Sequence, residues 1–329
     1  MQKDSLTIDD IKQAQERISP YINRTKLIRA ESMDNILNCK VYLKPEMLQK
    51  TGAFKLRGAL NTVFLLDEES RKKGIITSSS GNHGQACAYI GKMLGIPVTV
   101  VLPNDTPKIK IERTKNHGAN IILEERSYEK RWIRVQEEVD KYGCSIVHPY
   151  ENFNVMAGQG TIGLELLEDL PYLDKVVVPV GGGGLISGIS TAIKEINPKI
   201  QVIGVEPEAA DPYIESRKQH KRVSVGNTPT IADGLSTRQA GNNTYPIIEK
   251  YVDEIVSVDD DSIKQAVKLV ASEAKLIAEP SSCVGIAAVL SGKLKVSKEE
   301  NIAFVLTAGN WDIDKIGKIL NDEEIEATS

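Results

Sequence analysis

The sequence has few cysteines, no long apolar run and no excess of either charge. Its four cysteines, Cys39, Cys87, Cys144 and Cys283, lie far apart, and no pair has the short spacing of a metal or redox motif. We therefore expect reduced thiols and a cytoplasmic protein. The 45 acidic and 41 basic side chains give a formal net charge of -4, which argues against a nucleic-acid partner.

Signals for secretion or membrane insertion are also missing. The polar segment 1–11 lacks the apolar core of a signal peptide. The longest apolar run, near residues 175–188, contains Pro179 and four consecutive glycines, so we expect no membrane span. With 329 residues, 41% hydrophobic and 26% charged, the chain has the composition of a globular protein and the length for two cores.

Short apolar runs alternate with amphipathic segments along the chain. The clearest predicted strands are 74–78, 97–102, 120–123, 176–180, 202–205 and 302–306. Strands that alternate with helices predict right-handed crossovers and parallel sheets. The sequence therefore predicts two open α/β domains with a ligand at the carboxyl ends of the strands. The stretch 211–238, rich in turn residues and charge, is predicted to be irregular.

One lysine lies between an aromatic and an aliphatic residue, with small residues on both sides. It is Lys55 in Thr51-Gly-Ala-Phe-Lys-Leu-Arg-Gly-Ala59. An isolated lysine usually lies along apolar surface with its ammonium group in water. A desolvated lysine has a lowered pKa and acts as a nucleophile or forms a Schiff base with a cofactor aldehyde. These nine residues alone leave both interpretations open.

Four consecutive glycines follow a predicted strand and precede a predicted helix, in Val180-Gly-Gly-Gly-Gly-Leu-Ile-Ser-Gly188. Glycine lets the backbone approach an anion closely, and the N–H groups at a helix start point towards it. We predict an anion site in this loop. A dinucleotide-binding protein is an alternative, because the glycine spacing is close to that fingerprint and Glu206 follows the next strand. A plain strand-to-helix turn is the structural alternative.

The segment Ser78-Ser-Ser-Gly-Asn-His-Gly-Gln85 also stands between a predicted strand and a predicted helix. Its N–H groups and hydroxyls are suited to binding a carboxylate, and Ser80 could carry a proton. His83 could act as a base. With no acidic partner nearby in the sequence, a capping or structural role for His83 is the alternative.

Five motifs in this order resemble the serine racemase/threonine dehydratase group of fold-type II pyridoxal phosphate enzymes. They are 51–59, 79–85, Ala157-Gly-Gln-Gly-Thr161, 181–184 and Ala232-Asp-Gly234. The similarity runs from about residue 8 to residue 314. It implies a tryptophan synthase β-like α/β fold of two open parallel-sheet domains with the cofactor between them. Residues 1–72 and 150–329 would form the large cofactor-binding domain, and 73–149 the small one.

The resemblance also assigns roles to single residues. Lys55 would hold pyridoxal phosphate covalently and later move the α-proton, with Ser80 as the second catalytic residue. Thr307 would face the pyridine nitrogen. The remaining implied cofactor contacts are Phe54, Asn82, Gly181, Gly182, Gly183, Gly184, Leu185 and Gly234. The implied substrate contacts are Ser79, Ser80, Asn82 and His83.

The implied site also bears on the reaction. A neutral hydroxyl at Thr307 stabilises a protonated pyridine less than a carboxylate would, which favours β-elimination or rapid reprotonation over transamination. Ser80 would place an acid/base on the second face of the α-carbon, which racemisation needs. Tyr128 falls where serine racemases carry an arginine near the substrate, a departure that favours a less charged or larger β-substituent. Ala308 and Trp311 also depart from the family pattern.

Glu206, the backbone oxygen of Ala210 and Asp211 resemble the divalent cation site of the family, with oxygen ligands suited to Mg²⁺ or Ca²⁺. In the family pattern the second carboxylate lies one residue later, where this chain has Pro212. The resemblance implies a dehydratase (ammonia-lyase) that converts L-threonine or L-serine to a 2-oxo acid and ammonia. Serine racemisation with side dehydratase activity, or dehydration of a bulkier 3-hydroxy amino acid, are the alternatives. A homodimer or homotetramer is also implied.

Overall fold

The computed structural model describes residues 5–79, 81–106, 108–226 and 228–325, without the side chains of Ile109 and Lys110. The strands in this part of the chain are β1 (Ile28–Arg29), β2 (Lys40–Pro45), β3 (Ile75–Ser78), β4 (Val98–Pro103), β5 (Asn120–Glu124), β6 (Ser145–Ile146), β7 (Lys175–Pro179), β8 (Gln201–Pro207), β9 (Glu254–Val258) and β10 (Asn301–Leu306).

The α-helices in the same described ranges surround these strands. They are α1 (Ile8–Ile18), α2 (Asp34–Leu37), α3 (Lys55–Phe64), α4 (Glu68–Lys73), α5 (Asn82–Leu94), α6 (Lys108–Lys115), α7 (Tyr128–Tyr142), α8 (Phe153–Asp169), α9 (Gly184–Ile196), α10 (Pro212–Gln219), α11 (Thr244–Tyr251), α12 (Asp260–Leu269), α13 (Pro280–Leu290) and α14 (Ile313–Leu320). Among them, none is long and apolar enough to cross a membrane.

The larger sheet has six strands in the order β1-β2-β10-β7-β8-β9. Its edge strand β1 is antiparallel to β2, and the other pairs are parallel. All five residues of β7 are buried, as expected for a central parallel strand covered by helices on both faces. The strand order reverses between β7 and β10, so the carboxyl ends of these two strands flank a crevice.

The smaller sheet has four parallel strands in the order β5-β4-β3-β6. Its order reverses between β3 and β6, which opens a second crevice at the carboxyl ends of these strands. The serine-rich segment follows β3, and residues 147–151 follow β6. The two parallel α/β sheets confirm the predicted architecture.

The prediction of an irregular stretch at 211–238 is wrong for residues 212–219, which form α10. Both oxygens of the Glu206 carboxylate accept backbone N–H groups at the start of this helix, from Tyr213 at 3.1 Å and Ile214 at 3.0 Å. Pro212 occupies the first turn, where a missing N–H costs nothing. Tyr213 is fully buried, so tertiary packing outweighs the polar composition of the segment.

Candidate active site

A cavity of about 260 Å³ lies where the carboxyl ends of β3, β6, β7 and β10 come together. Nearly all of the predicted cofactor and substrate residues line it. These are Phe54, Lys55, Ser79, Asn82, His83, Gly181, Gly182, Gly183, Gly184, Leu185, Gly234 and Thr307. Ser80 lies outside the described residues. The three predicted metal ligands, Glu206, Ala210 and Asp211, are not among the lining residues.

Lys55 is the first residue of α3 and reaches into this cavity. Its Nζ donates a hydrogen bond to the backbone oxygen of Pro149 at 3.0 Å and lies 5.1 Å from the centroid of the Phe54 ring. Burial lowers the pKa of the Lys55 amine to about 8, and the nearby Cys87 and Glu279 offset part of that effect. A lysine with this pKa has a substantial free-base fraction near neutral pH, which a nucleophile or base requires.

The glycine loop forms a concave surface on the other side of the cavity. A side-chain Cβ at Gly182 would overlap the Tyr150 ring, and one at Gly183 would overlap the Tyr213 hydroxyl. Gly183 also has a φ of +83°, which L-residues rarely adopt. Gly184 begins α9, so the backbone N–H groups of its first turn have no partner within the helix. This surface is suited to a phosphate group.

Thr307 follows β10 and is almost fully buried. Its Oγ1 lies 2.8 Å from Ser282 Oγ, and Ser282 Oγ accepts the N–H of Ala308 at 2.8 Å. The group that lines this end of the cavity is therefore the neutral Thr307 hydroxyl, which is paired with the Ser282 hydroxyl. A pyridine nitrogen placed here would meet a hydroxyl and no carboxylate from Thr307 or Ser282.

Asn82 takes part in a polar chain that sequence reasoning missed. Its Nδ2 donates to both carboxylate oxygens of Glu279 at 3.2 Å, and its Oδ1 accepts from Asn310 Nδ2 at 2.9 Å. Glu279 occupies the N-cap position of α13 but makes no side-chain cap hydrogen bond, and it lines the cavity. In the sequence it appears only as an acid before Pro280, a common helix start.

His83 is buried, and its Nε2 lies 2.9 Å from the backbone oxygen of Val147. Because a carbonyl oxygen only accepts, Nε2 carries the proton. Burial lowers the pKa of His83 to about 3, so the ring is neutral near pH 7. Its Nδ1 has no hydrogen-bond partner among the described residues. The Nε2 contact supports the structural interpretation of His83.

Other residues surround the rim of the site. Tyr128 is 46% exposed and is not among the residues that line the cavity. Its hydroxyl lies 3.5 Å from the hydroxyl of Tyr150, which does line the cavity. Trp311 lines the cavity and is mostly buried. Arg131, which sequence reasoning did not single out, donates from Nε to Ser78 Oγ at 3.1 Å and so places a cation beside the serine-rich segment.

The predicted metal ligands lie in β8 (Glu206) and in the loop between β8 and α10 (Ala210 and Asp211). Glu206 is fully buried, and burial raises its pKa to about 8. Asp211 precedes α10 and is partly exposed, and burial also raises its pKa. In the described ranges, His, Cys, Asp and Glu form no group of three or more that could hold a metal ion. A site at these residues would depend on backbone oxygens and solvent for further ligands.

Comparison with known proteins identifies the class that this fold and cavity define. The family model described as "Pyridoxal-phosphate dependent enzyme" matches residues 18–308, so the chain belongs to this family. It is 44% identical to the L-threonine ammonia-lyase of Thermotoga maritima over 319 residues, 96% of this chain and 78% of the relative. It is 41% identical to the serine racemase of Oryza sativa over 313 residues, 93% of this chain and 91% of the relative.

Among solved structures, maize serine racemase superposes with a TM-score of 0.91 at 38% identity, covering 97% of this chain and 98% of that one. The predicted family and the predicted fold-type II architecture are thereby confirmed. Pyridoxal phosphate is the cofactor of this family. Lys55, the glycine loop and the Thr307 hydroxyl line one cavity and fit the aldehyde, the phosphate and the ring nitrogen of this cofactor. The alternative of a dinucleotide-binding protein is not supported.

Proposed function

We propose that this protein is a pyridoxal phosphate-dependent dehydratase (ammonia-lyase) that converts L-threonine or L-serine to a 2-oxo acid and ammonia. One observation carries the proposal: Lys55, with its lowered pKa, faces the same cavity as the glycine loop and Thr307, whose hydroxyl contacts that of Ser282. The 44% identity to an L-threonine ammonia-lyase supports the choice of reaction.

In this proposal the chain supplies binding groups, orientation and a base. The glycine loop, with Leu185, holds the cofactor phosphate at the start of α9, and Asn82 and Phe54 hold the ring. Pyridoxal phosphate, when bound, supplies an electron sink for the electrons of the breaking Cα–H bond. The Lys55 amine would take the α-proton, and the β-hydroxyl would leave with a proton as water. The neutral Thr307 hydroxyl, which would face the ring nitrogen, favours this elimination over transamination.

The substrate carboxylate is proposed to bind at the N-terminus of α5. Ser79 and Asn82 bracket this helix start, and His83 lies in its first turn. Backbone N–H groups at a helix start favour an anion. The buried, neutral His83 donates a hydrogen bond to the backbone oxygen of Val147, in the segment that follows β6, and so keeps this surface in place.

Serine racemisation is a second candidate, because a serine racemase is 41% identical over 93% of this chain. The residues on either side of Ser80, Ser79 and Gly81, both line the cavity. In this alternative Ser80 and Lys55 act on opposite faces of the α-carbon. A bulkier 3-hydroxy amino acid is the third candidate, with Tyr150 and Trp311 shaping the space for its β-substituent.

Four further features belong to the proposal. Residues 73–149 form a small domain, and 1–72 with 150–329 a large one, since the two sheets divide in this way. Glu206, the Ala210 oxygen and Asp211 bind Mg²⁺ or another divalent cation. The chain assembles as a homodimer or homotetramer. It works in the cytoplasm, consistent with its four free cysteines.

The test is incubation of the purified protein with L-serine and with L-threonine, with and without Mg²⁺, while 2-oxo acid and D-serine are measured together. We expect 2-oxo acid without D-serine, and a rate that Mg²⁺ increases in the wild type but not in Glu206→Gln. D-serine beside the oxo acid would support the racemase alternative. If the protein binds the cofactor but forms neither product, both the dehydratase and the racemase candidates are contradicted. Bulkier 3-hydroxy amino acids would then be the substrates to test.

Lys55→Ala is the control for the mechanism. It should abolish turnover and the near-visible absorbance of the covalently held cofactor, because no other group at this position offers an amine. Full activity in Lys55→Ala would contradict the assignment of the base. Lys50→Ala, a lysine on the exposed side of the same loop, should behave as the wild type.

A further inference from the structure

Residues 147–151, here called the crossing segment, run from the small sheet across the cavity. At its start the Val147 oxygen is held by His83 Nε2 at 2.9 Å. Two residues later the Pro149 oxygen accepts from Lys55 Nζ at 3.0 Å. The Tyr150 ring then lies against the glycine loop, and Pro149 and Tyr150 both line the cavity. The crossing segment therefore links the small sheet to the reactive amine and to the glycine loop.

The conformation of the crossing segment depends on the side chain of His148. Its Nδ1 accepts two backbone N–H groups, from Tyr150 at 3.2 Å and from Glu151 at 2.8 Å. Because both partners are donors, Nδ1 carries no proton, and in the neutral ring the proton lies on Nε2. Nε2 lies 3.4 Å from the Tyr128 hydroxyl. Asparagine and aspartate side chains close turns by accepting N–H groups two and three residues ahead in the same way.

Aromatic neighbours fix the orientation of the His148 ring. It stacks on Trp132 with ring centroids 4.5 Å apart and an interplanar angle of 14°. It also meets Tyr150 edge-on, with centroids 4.7 Å apart. Burial lowers the pKa of His148 to about 3, and the positive charge of Lys55 acts in the same direction. The ring is therefore neutral near pH 7, and its Nδ1 stays available as an acceptor.

We propose that His148 is a positioning residue for Lys55. Its Nδ1 holds the turn that aims the Pro149 oxygen at Lys55 Nζ, so that the amine returns to one place whenever it is not bonded to the cofactor. The backbone oxygen is a fixed acceptor, whereas the lysine side chain has four rotatable bonds. The role of His148 rests on the proposed function of Lys55.

The test compares two substitutions. His148→Phe keeps a flat ring against Trp132 but removes the acceptor, whereas His148→Asn restores an acceptor close to the place of Nδ1. In each full-length protein stripped of cofactor, the rate of pyridoxal phosphate rebinding is followed by absorbance as a function of pH. Because the free amine is the nucleophile, the midpoint of this profile reports the pKa of Lys55.

We expect His148→Phe to move this midpoint to lower pH by about half a unit or more, because the ammonium form loses its carbonyl acceptor. In the holoenzyme kcat should fall about tenfold with little change in KM, because the amine is misplaced and the substrate site is not. His148→Asn should return the midpoint and kcat towards the wild type. A substitution that only destabilised the protein would not lower the midpoint and kcat together and then restore both when asparagine replaces phenylalanine.

His117→Phe is the control, because His117 packs edge-on against Tyr89 and does not line the cavity. It should leave both measurements unchanged. An unchanged or raised midpoint in His148→Phe, or an Asn variant that behaves like the Phe variant, would overturn the proposal. If the wild type forms no oxo acid but His148→Phe still lowers the rebinding midpoint and His148→Asn restores it, the dehydratase reaction fails, whereas the cofactor-binding function of Lys55 and the role of His148 stand.

Discussion

The basicity of Lys55 results from effects that act in opposite directions. Burial lowers its pKa to about 8, while Cys87 from α5 and Glu279 from the start of α13 act to raise it. His83 and His148 also face the amine, and burial keeps both rings neutral near pH 7. Burial raises the pKa of the Cys87 thiol to about 12, so that this group is also neutral near pH 7. Glu279 is therefore the neighbour whose charge we expect to matter most.

We predict that Glu279→Gln lowers the pKa of Lys55 further, because the ammonium form loses a nearby negative charge. The midpoint of cofactor rebinding should move to lower pH by about half a unit. The free-base fraction at pH 7 then rises, so rebinding at that pH should become about threefold faster. The measurement is the pH profile of rebinding to the stripped protein. Glu208→Gln, at an exposed position just after β8, should change nothing.

An unchanged or raised midpoint in Glu279→Gln would show that the charge of Glu279 does not set the pKa of Lys55. The glutamine keeps one oxygen for the Asn82 amide, so the polar chain to Asn310 should remain. This substitution therefore separates the effect of the Glu279 charge from the effect of Glu279 on the orientation of Asn82.

Residues in continuous motifs could be predicted from the sequence, whereas residues that act across the fold could not. Lys55 and the glycines stand in segments whose local pattern already indicates chemistry. Glu279 and Asn310 meet Asn82 only after folding, over separations of 197 and 228 residues. His148 has no local signal beyond its position after a short strand, because its proposed role depends on the contact between Lys55 and the Pro149 oxygen, over a separation of 94 residues.

Among the helices, α3 is anchored by a buried cluster of four charges. Arg57 donates to Glu46 at 2.8 Å and to Glu165 at 2.7 Å, and Lys44 pairs with Glu165 from the other side. All four side chains are at most 5% exposed, and the two positive charges balance the two negative ones. Since Arg57 follows Lys55 by two residues, this cluster fixes the start of the helix that carries the reactive amine.

We predict that Arg57→Leu destabilises the protein by about 3–5 kcal/mol, because it leaves two buried carboxylates with one lysine. Arg57→Lys should also destabilise, since an ammonium group cannot replace the planar fork that contacts both Glu46 and Glu165. The measurement is the shift of the urea unfolding midpoint of the holoenzyme.

The matched control is Lys72→Ala in the exposed i,i+4 pair with Glu68, whose side chains are 72% and 78% exposed. Solvent-exposed pairs of this kind contribute about 0.5 kcal/mol or less, so its midpoint should stay near the wild type. If the urea unfolding midpoint of Arg57→Leu were as close to the wild type as that of Lys72→Ala, the buried cluster would not anchor α3.

Helix α10 shows why composition alone failed for one element. The residues of 211–238 include many that favour turns, and a local reading predicts irregular structure. The helix forms because Glu206, on the preceding strand, accepts its first N–H groups and because Tyr213 is buried beneath it. Glu206 lies outside the stretch, and the burial of Tyr213 depends on packing against the rest of the fold, so the local pattern includes neither effect.

At the scale of the whole molecule, the alternation of strands and helices predicted two parallel sheets but not their strand order. β10, the last strand, inserts between β2 and β7, which are separated from it by more than 100 residues. That insertion brings Thr307 next to the glycine loop and creates the reversal of strand order that opens the crevice. The carboxyl ends of β3 and β6 complete the cavity from the small sheet.

Because the cavity is lined from both sheets, we predict that removing pyridoxal phosphate lowers the Tm of the protein by about 5 °C or more. A ligand that binds only the folded chain stabilises it by mass action, and the proposed contacts would connect Asn82 on one side with the glycine loop and Thr307 on the other. Thermal unfolding of the holoenzyme and of the stripped protein measures the difference.

Lys55→Ala distinguishes the stabilisation that comes from the covalent link to the cofactor from the stabilisation that comes from the other cofactor contacts. With excess cofactor it should recover part of the stabilisation through the phosphate and ring contacts alone, whereas Lys50→Ala should recover all of it. Equal Tm values for holoenzyme and stripped protein would mean that the cofactor does not connect the two sheets. If Lys55→Ala recovered none of the stabilisation with excess cofactor while Lys50→Ala recovered all of it, the covalent link, and not the glycine loop, would provide the binding free energy.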